Sequence, residues 1–399
     1  MILVKNILLI TRLNRNDRDY IVTALYQDKK MLEVTLESVE QQSILGDIYV
    51  GRVKNIVKNL NAAFIEIAPG MPCYYPLDEM KQPLFVKKIN SPNMVQGDEV
   101  VVQVAQESSK SKPPKVTTNI NLSGKYLVLT SENKKIGISK KISEEKREKI
   151  KENLSSEHFE EFGIIVRTNA VSASKEEILK EYEKLKQEYI NLKETAPYRT
   201  VFSCLKGSMP EYLHMLQNVN QSWLTSILTD DRELLEKARE YLKIFQPEDL
   251  EKLTYYEDAG MSLKNLYRLE HYLKEALLER VWLKSGGYLV IQPTEALTVI
   301  DVNSGKSISK KKVQEHYLKI NLEAAAEIAC QLRLRNLSGI IIVDFIDMKS
   351  DDSKEILMQA LESAVSADPV PVHVVDMTKL NLVELTRKKV RKSLAEQIQ

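Results

Sequence analysis

Two apolar runs that end in acid, with a long helical stretch between them, constrain this chain most. ALTVIDV and GIIIVDFIDM read as strands, and KVQEHYLKINLEAAAEIACQLRLRN reads as the helix that joins them. GYLVIQ adds a strand in front, through a turn at PTEA, so the last third is an α/β layer. Asp301 and Asn303 stand two apart and share one strand face, and the Asn-Ser-Gly that follows ends the strand and exposes that face. If GIIIVDFIDM is one buried strand, Asp344 and Asp347, three apart, point to opposite sides, so only one of them joins Asp301. An aspartate at the end of each of two neighbouring strands makes a hard-oxygen pocket. It suits magnesium, with manganese as the alternative ion, because such a cation takes one or two carboxylates and keeps several waters. A plain strand-end cap is the competing reading of each acid.

The rest of the chain alternates in texture. ILLITRL, YIVTALYQ and MLEVTLES are alternating strands separated by NRND and DKK, a small antiparallel sheet that needs a partner layer. GDIYVGRVKNIV, AAFIEIA, YYPL and EVVVQVAQ are short strands at close spacing, the pattern of a small barrel or sandwich. SSKSKPPK is a polar linker; KYLVLT, GISKKI and GIIVRT follow as strand pieces, with a helix from about Ser143 to Leu154. Ser174 and Glu177 form a capping box, and Ile178, Tyr182, Leu185, Tyr189 and Leu192 recur at helical spacing behind it. Residues from about Val201 to Trp282 read as largely helical. A helix from Asp352 to Val365 and a strand at PVHVVDM follow the second acidic strand.

Composition excludes several classes. With 399 residues, 43% hydrophobic and 28% charged, the chain is long enough for two or three globular domains. A net charge of +1 does not announce a polyanion binder; lysines crowd Lys110–Lys151, and Arg387, Lys388, Lys389, Arg391 and Lys392 cluster at the end, both read as solvated faces. Cys73, Cys204 and Cys330 stand apart with no C-x-x-C, so neither a disulfide framework nor a zinc site is expected, and a reducing cytoplasm fits. No apolar run is long enough to span a membrane, and the opening MILVKNILLITR is too short in its apolar core for a signal peptide.

The segment GDIYVGRVKNIVKNLNAAFIEIAPGMPCYYPL is the first specific one. The spacing of Gly46, Gly51, Val53, Ile56, Ala62, Ala63, Phe64, Gly70 and Tyr74 resembles the five-stranded OB barrel of ribosomal-protein S-one type RNA-binding domains. Phe64 and Tyr74 match aromatic positions that stack bases there, and Lys112 is a candidate phosphate contact; each aromatic taken singly also fits a core role. TVIDVNSGK, NLEAAAEIACQLRLRNLSGIIIVDFIDM and GGYLVIQPTEAL together resemble the catalytic core of the ribonuclease E/G family, in the expected order.

That resemblance covers essentially the whole chain. It implies an RNase H-like subdomain in two parts, residues 1–38 and 201–278, interrupted by an OB-fold RNA-binding domain (39–120) and a 5′-sensor region (121–200). A DNase I-like catalytic subdomain (279–399) follows. It implies a magnesium-dependent endoribonuclease that cuts single-stranded, AU-rich RNA and leaves 5′-phosphate and 3′-hydroxyl ends. Asp301 and Asp344 would hold the metal, and Asn303 would orient the site or contact the scissile phosphate. GIIVRTNAV resembles the strand whose Arg-Thr pair binds a 5′-monophosphate, here Arg167 and Thr168. Gly124 and Val128 fall at the neighbouring backbone contacts; an arginine and a hydroxyl beside free backbone N–H groups make a phosphate grip.

The chain also departs from the family. The paired arginines after Gly-Ile-Ser are Lys140 and Lys141, which keep the charge and lose the bidentate fork. A further basic pocket residue falls near Pro371. The sequence stops at Gln399, before the C-P-x-C zinc-link and small dimerisation domain, so a homodimer is allowed but its zinc-shared form is not expected. A non-catalytic RNA-binding or regulatory protein of the same fold is the alternative reading.

Overall fold

Two tight turns shape the N-terminal sheet. Asn16 and Asp17 (φ 52° and 59°) and Asp28 and Lys29 (φ 46° and 74°) take the left-handed conformation that two-residue hairpin loops require. They join strands Asn6–Arg15, Arg18–Gln27 and Lys30–Ser38. The structure, a computed structural model, describes residues 5–40, 43–89, 91–108, 112–132, 134–139, 142–154, 162–219, 223–305 and 313–398. The chain is mixed α/β and divides into two compact units, residues 1–41 with 221–399, and residues 42–220. Among the described residues no helix is long and apolar enough to cross a membrane.

The first unit holds two sheets. In the five-stranded one, the Asn6–Arg15 strand pairs parallel with Ser226–Thr229, which pairs parallel with Leu253–Tyr255, while the two hairpin strands extend the other side. Helices Glu211–Asn218, Arg232–Phe245 and Leu269–Glu275 make up most of the regular structure from Val201 to Trp282, and the short apolar pieces between them are strands. SILT and LTY are strands, because a short apolar run takes its conformation from the sheet edge it completes and not from its own period. Helix Arg232–Phe245 lies between them, its N-cap Asp231 accepting from the Leu234 N–H.

The second sheet has six strands: Arg280–Trp282, Tyr288–Pro293, Leu297–Asn303, Gly339–Asp344, Leu382–Arg387 and Val372–Met377, in that spatial order. The third and fourth are parallel and are joined through helix Val313–Leu334; the other pairs are antiparallel. Leu289, Ile291, Ile300, Val302, Ile341 and Val343 point to one face and pack on Ile320, Ala324 and Ile328 of that helix and on Leu357 and Leu361 of helix Asp351–Ser366. Two expectations change here. GIIIVDFIDM is a strand only to Asp344, and it is buried on one face alone, with Ile340 51% exposed. LVELTR, to which the sequence assigned no element, is an inner strand, so Arg387 does not belong to the solvated basic cluster. Its Arg387 is buried, donating to Asp368 (2.9 and 3.2 Å), to the Asn336 Oδ1 (2.7 Å) and to the Leu337 carbonyl (3.0 Å), a satisfied guanidinium and not a surface charge.

In the second unit, strands Ile48–Val57, Ala62–Ala68, Met71–Pro76, Lys115–Thr117 and Glu99–Gln106 close into a five-stranded barrel, since the first also pairs with the last. This is the OB-like form expected. Cys204–Lys206 and Phe85–Lys87 add short strands. A separate four-stranded sheet, Asn121–Ser123, Leu127–Thr130, Gly163–Val166 and Ile136–Ile138, is covered by helix Lys175–Thr195. The capping box at Ser174 and Glu177 forms with both of its bonds, and Ile178, Tyr182, Leu185 and Leu192 are the buried stripe.

One buried charge anchors the barrel. The Asp98 side chain is fully enclosed, and its carboxylate accepts from the Lys88 Nζ (2.6 Å) and from the N–H groups of Ile89 and Val95 (both 2.8 Å). Burial alone raises its pKa, but these donors outweigh burial and hold the carboxyl below its ordinary value. A depressed folded pKa gives stability that is present above the ordinary carboxylate range and is lost as pH falls through the folded value. Asp98→Asn puts an amide against those donors and should cost about 2 kcal/mol at pH 7. Urea unfolding of variant and parent at neutral and acid pH checks this, the difference shrinking on acidification.

Candidate active site

The acidic strand ends meet. Asp301 is the direct register partner of Asp344 across the parallel pair, and both side chains are exposed on the face opposite the helices. Asn303, two residues on, donates its Nδ2 to the Asp301 Oδ2 (2.8 Å), so the three residues singled out in the sequence form one constellation. Partial burial first, then the charges of Asp301 and Asp347, hold the Asp344 carboxyl above the ordinary carboxylate range. Asp347 thus lies near Asp344. The strand ends at Asp344, so Asp347 belongs to the loop after it and not to a strand face; among the described residues the three acids do not form a metal-holding group, in keeping with only one of the two joining Asp301. Asp347 accepts from the Asn381 Nδ2 (3.1 Å), whose Oδ1 accepts from the Lys354 Nζ (3.0 Å).

Helix Val313–Leu334 fixes the loops around these acids. Asn321, fully buried, donates to the Ile346 carbonyl (2.8 Å) and accepts the Ile346 N–H (3.1 Å), holding the loop that leaves Asp344. Glu323 accepts the N–H groups of Lys284 and Ser285 at the turn before Gly286. Close approach explains the glycines: a Cβ on Gly287 would stand 2.7 Å from the Asn303 carbonyl oxygen, and Gly305, at φ +72°, lies against the Gly286 carbonyl. Sequence reasoning missed Asn321. Its signal was an amide set among the apolar Ile320, Ala324, Ala325 and Ile328 of that helix.

The acids suit a hard cation. Among the described residues neither Asp301 nor Asp344 pairs with a basic side chain, and their mutual repulsion is what a divalent ion would relieve. Among the described residues no group of three or more His, Cys, Asp or Glu is arranged to hold a metal, so the candidate is a two-carboxylate site completed by water, which magnesium accepts.

In the second unit, Phe64 and Tyr74 are register partners on adjacent barrel strands, both half-buried, with ring centroids 6.2 Å apart at 72°. Lys112 is exposed, two residues before Pro114, whose carbonyl accepts the Tyr74 N–H (2.8 Å). On the four-stranded sheet, Arg167 donates its Nη1 to the Gly124 carbonyl (2.6 Å) and its Nη2 to the Asn218 Oδ1, so Gly124 and Arg167 are brought together. Thr168 is exposed and follows directly; Val128 is half-buried, opposite Ser123 and Ile165. Lys140 and Lys141 lie outside the described residues. One expectation is corrected: the amides of this turn are not free. Glu181 reaches in from helix Lys175–Thr195 and accepts the N–H groups of Lys125 (2.6 Å), Tyr126 (2.7 Å) and Leu127 (2.8 Å), leaving no room for a side chain on Gly124. Glu181 and Asn218 were invisible in sequence because both act across long separations.

The sequence profile of the Ribonuclease E/G family matches residues 121–390. Ribonuclease G of Haemophilus influenzae is 34% identical over 382 residues, 93% of this chain and 78% of that protein. Ribonuclease G of Escherichia coli K12 is 32% identical over 373 residues, 91% of this chain and 76% of that protein. Ribonuclease E of Haemophilus influenzae is 30% identical over 393 residues, 96% of this chain and 42% of that protein. The acids can be tested apart from the scaffold that holds them. Asn321→Ala strands the buried N–H and carbonyl of Ile346 and should cost about 2 kcal/mol, read as a lower urea midpoint, whereas Asp301→Asn, which relieves the repulsion with Asp344 at an exposed site, should leave the midpoint no lower than the parent's.

Proposed function

Because the chain belongs to the ribonuclease E/G family, we propose that it is an endoribonuclease that cuts single-stranded RNA internally at the Asp301–Asp344 strand ends. The observation that carries this reading is the parallel register that sets two carboxylates side by side on an open sheet face, with Asn303 beside them. Asp301 and Asp344 would hold a divalent cation, magnesium or manganese. When bound, the cation supplies positive charge toward a phosphate oxygen and lowers the pKa of an attacking water. The chain's own residues do the rest. Asn303 fixes the Asp301 carboxylate by donating to its Oδ2. Asn321 and Glu323 hold the flanking loops, so the acids meet the substrate without rearranging. In-line attack at phosphorus that expels the ribose 3′-oxygen leaves 5′-phosphate and 3′-hydroxyl ends.

The subdomains follow the family. Residues 1–38 and 201–278 are the RNase H-like parts, a reading supported by the sheet that joins the N-terminal hairpins to Ser226–Thr229 and Leu253–Tyr255. Residues 39–120 are the RNA-binding barrel, with Phe64 and Tyr74 as a stacking platform and Lys112 as a phosphate contact. Residues 121–200 are the 5′-sensor region, with Arg167, Thr168, Gly124, Val128 and Lys140 as its grip, and 279–399 form the catalytic DNase I-like part. AU-rich single strands fit a site that reads unpaired bases by stacking. A role in RNA processing and decay, in the cytoplasm, follows from this activity.

A gel assay with a short AU-rich single-stranded RNA bearing a 5′-monophosphate tests the proposal. Internal cuts should require magnesium and vanish with EDTA. Asp301→Asn should lower kcat/KM by more than about 100-fold, beyond the loss typical of residues that only support a metal ligand, with RNA binding retained. Intact RNA binding without any cutting by the parent chain would instead support the non-catalytic alternative. Arg167→Ala should narrow the rate difference between 5′-monophosphorylated and 5′-hydroxyl substrates; an unchanged ratio removes the sensor assignment.

A further inference from the structure

The catalytic sheet carries an aromatic cluster that none of these roles uses. Trp282, Tyr288 and Asn303 are successive register partners across three neighbouring strands, so their side chains form one row on one face. Arg280, Val290, Asp301 and Asp344 form the next row. The alternate residues Val281, Leu289 and Val302 point into the core, which places Trp282 and Arg280 on the same open face as the acids. Trp282 is 65% exposed. Its ring lies 5.2 Å from that of Tyr288 at 57°, and the Arg280 guanidinium stands 4.6 Å from the Tyr288 centroid and 5.8 Å from that of Trp282.

We propose that Trp282, braced by Tyr288 and Arg280, is a base-stacking subsite for the nucleotide that flanks the bond cut at Asp301 and Asp344. The inference rests on the endoribonuclease reading and adds to it a contact on the catalytic sheet itself. Neighbouring strands lie about 4.8 Å apart, so Trp282 stands roughly 10 Å along the sheet from Asn303, within reach of an adjacent base. The chemistry matches a nucleotide at both ends. An exposed indole offers a π-face to any base, and Arg280 supplies positive charge for the phosphate in a neighbourhood that is otherwise acidic.

The test uses the full chain and a short single-stranded RNA. Trp282→Leu should weaken binding in EDTA, read by fluorescence anisotropy, about 10-fold, and lower kcat/KM in magnesium by a similar factor, mainly through KM, as loss of one stacked base does. Trp282→Phe should recover most of both. An RNA with an abasic nucleotide beside the cut should bind the parent more weakly yet bind Trp282→Leu no worse than intact RNA does. Equal affinity and KM for Trp282→Leu and a cleaving parent overturn the subsite while leaving the endoribonuclease reading intact. A parent that binds no RNA overturns both. A parent that self-associates, with Trp282→Leu monomeric and unchanged in RNA affinity, makes the face an interface between copies and overturns the subsite as well.

Discussion

The parallel register that sets two aspartates side by side is the constraint around which the six-stranded sheet of the first unit is built. Asp301 and Asp344 face each other because Leu297–Asn303 and Gly339–Asp344 pair in parallel, and parallel neighbours need a crossover. Helix Val313–Leu334 provides it. Its apolar stripe buries the inner sheet face, while Asn321 and Glu323 on the same helix tie down the loops beside the acids. One element thus offsets the like-charge pair by burial and also fixes its geometry. A slip of one residue in either strand would turn its acid into the core.

Buried polar groups play the same part elsewhere in the molecule. Arg387 is enclosed with Asp368, Asn336 and Leu337, and it pins the end of the inner strand Leu382–Arg387 where that strand pairs with Gly339 on one side and Val372 on the other. In the second unit, Asp98 gathers Lys88 and two backbone N–H groups, and Glu181 gathers three. At Asp98 the donors outweigh desolvation, whereas burial still holds the Glu181 carboxyl above its ordinary value despite its three bonds; both bond sets specify one loop conformation. Glu181 does so at the turn that carries Gly124, beside the guanidinium of Arg167.

Much of this was legible in the sequence. Alternation located the hairpin strands, the barrel strands and Leu297–Asn303, and the Ser174–Glu177 box marked a helix start to the residue. The meeting of Asp301 with Asp344 was legible as two acid-terminated strands. What escaped were features that depend on tertiary context. SILT and LTY are strands only because a sheet edge receives them. LVELTR was hidden by the basic residues after it, and nothing local says that the second acidic strand ends at Asp344, three residues before Asp347. Glu181, Asn218 and Asn321 act through partners far away in the chain, which no spacing rule reaches.

The central claim is that the aligned carboxylates are a cation site. Manganese soaked into crystals of the chain, located by its anomalous scattering, tests it most directly. A peak is expected between the Asp301 and Asp344 carboxylates and is lost in Asp344→Asn. Manganese bound only elsewhere, or a peak that persists unchanged in that variant, would contradict it.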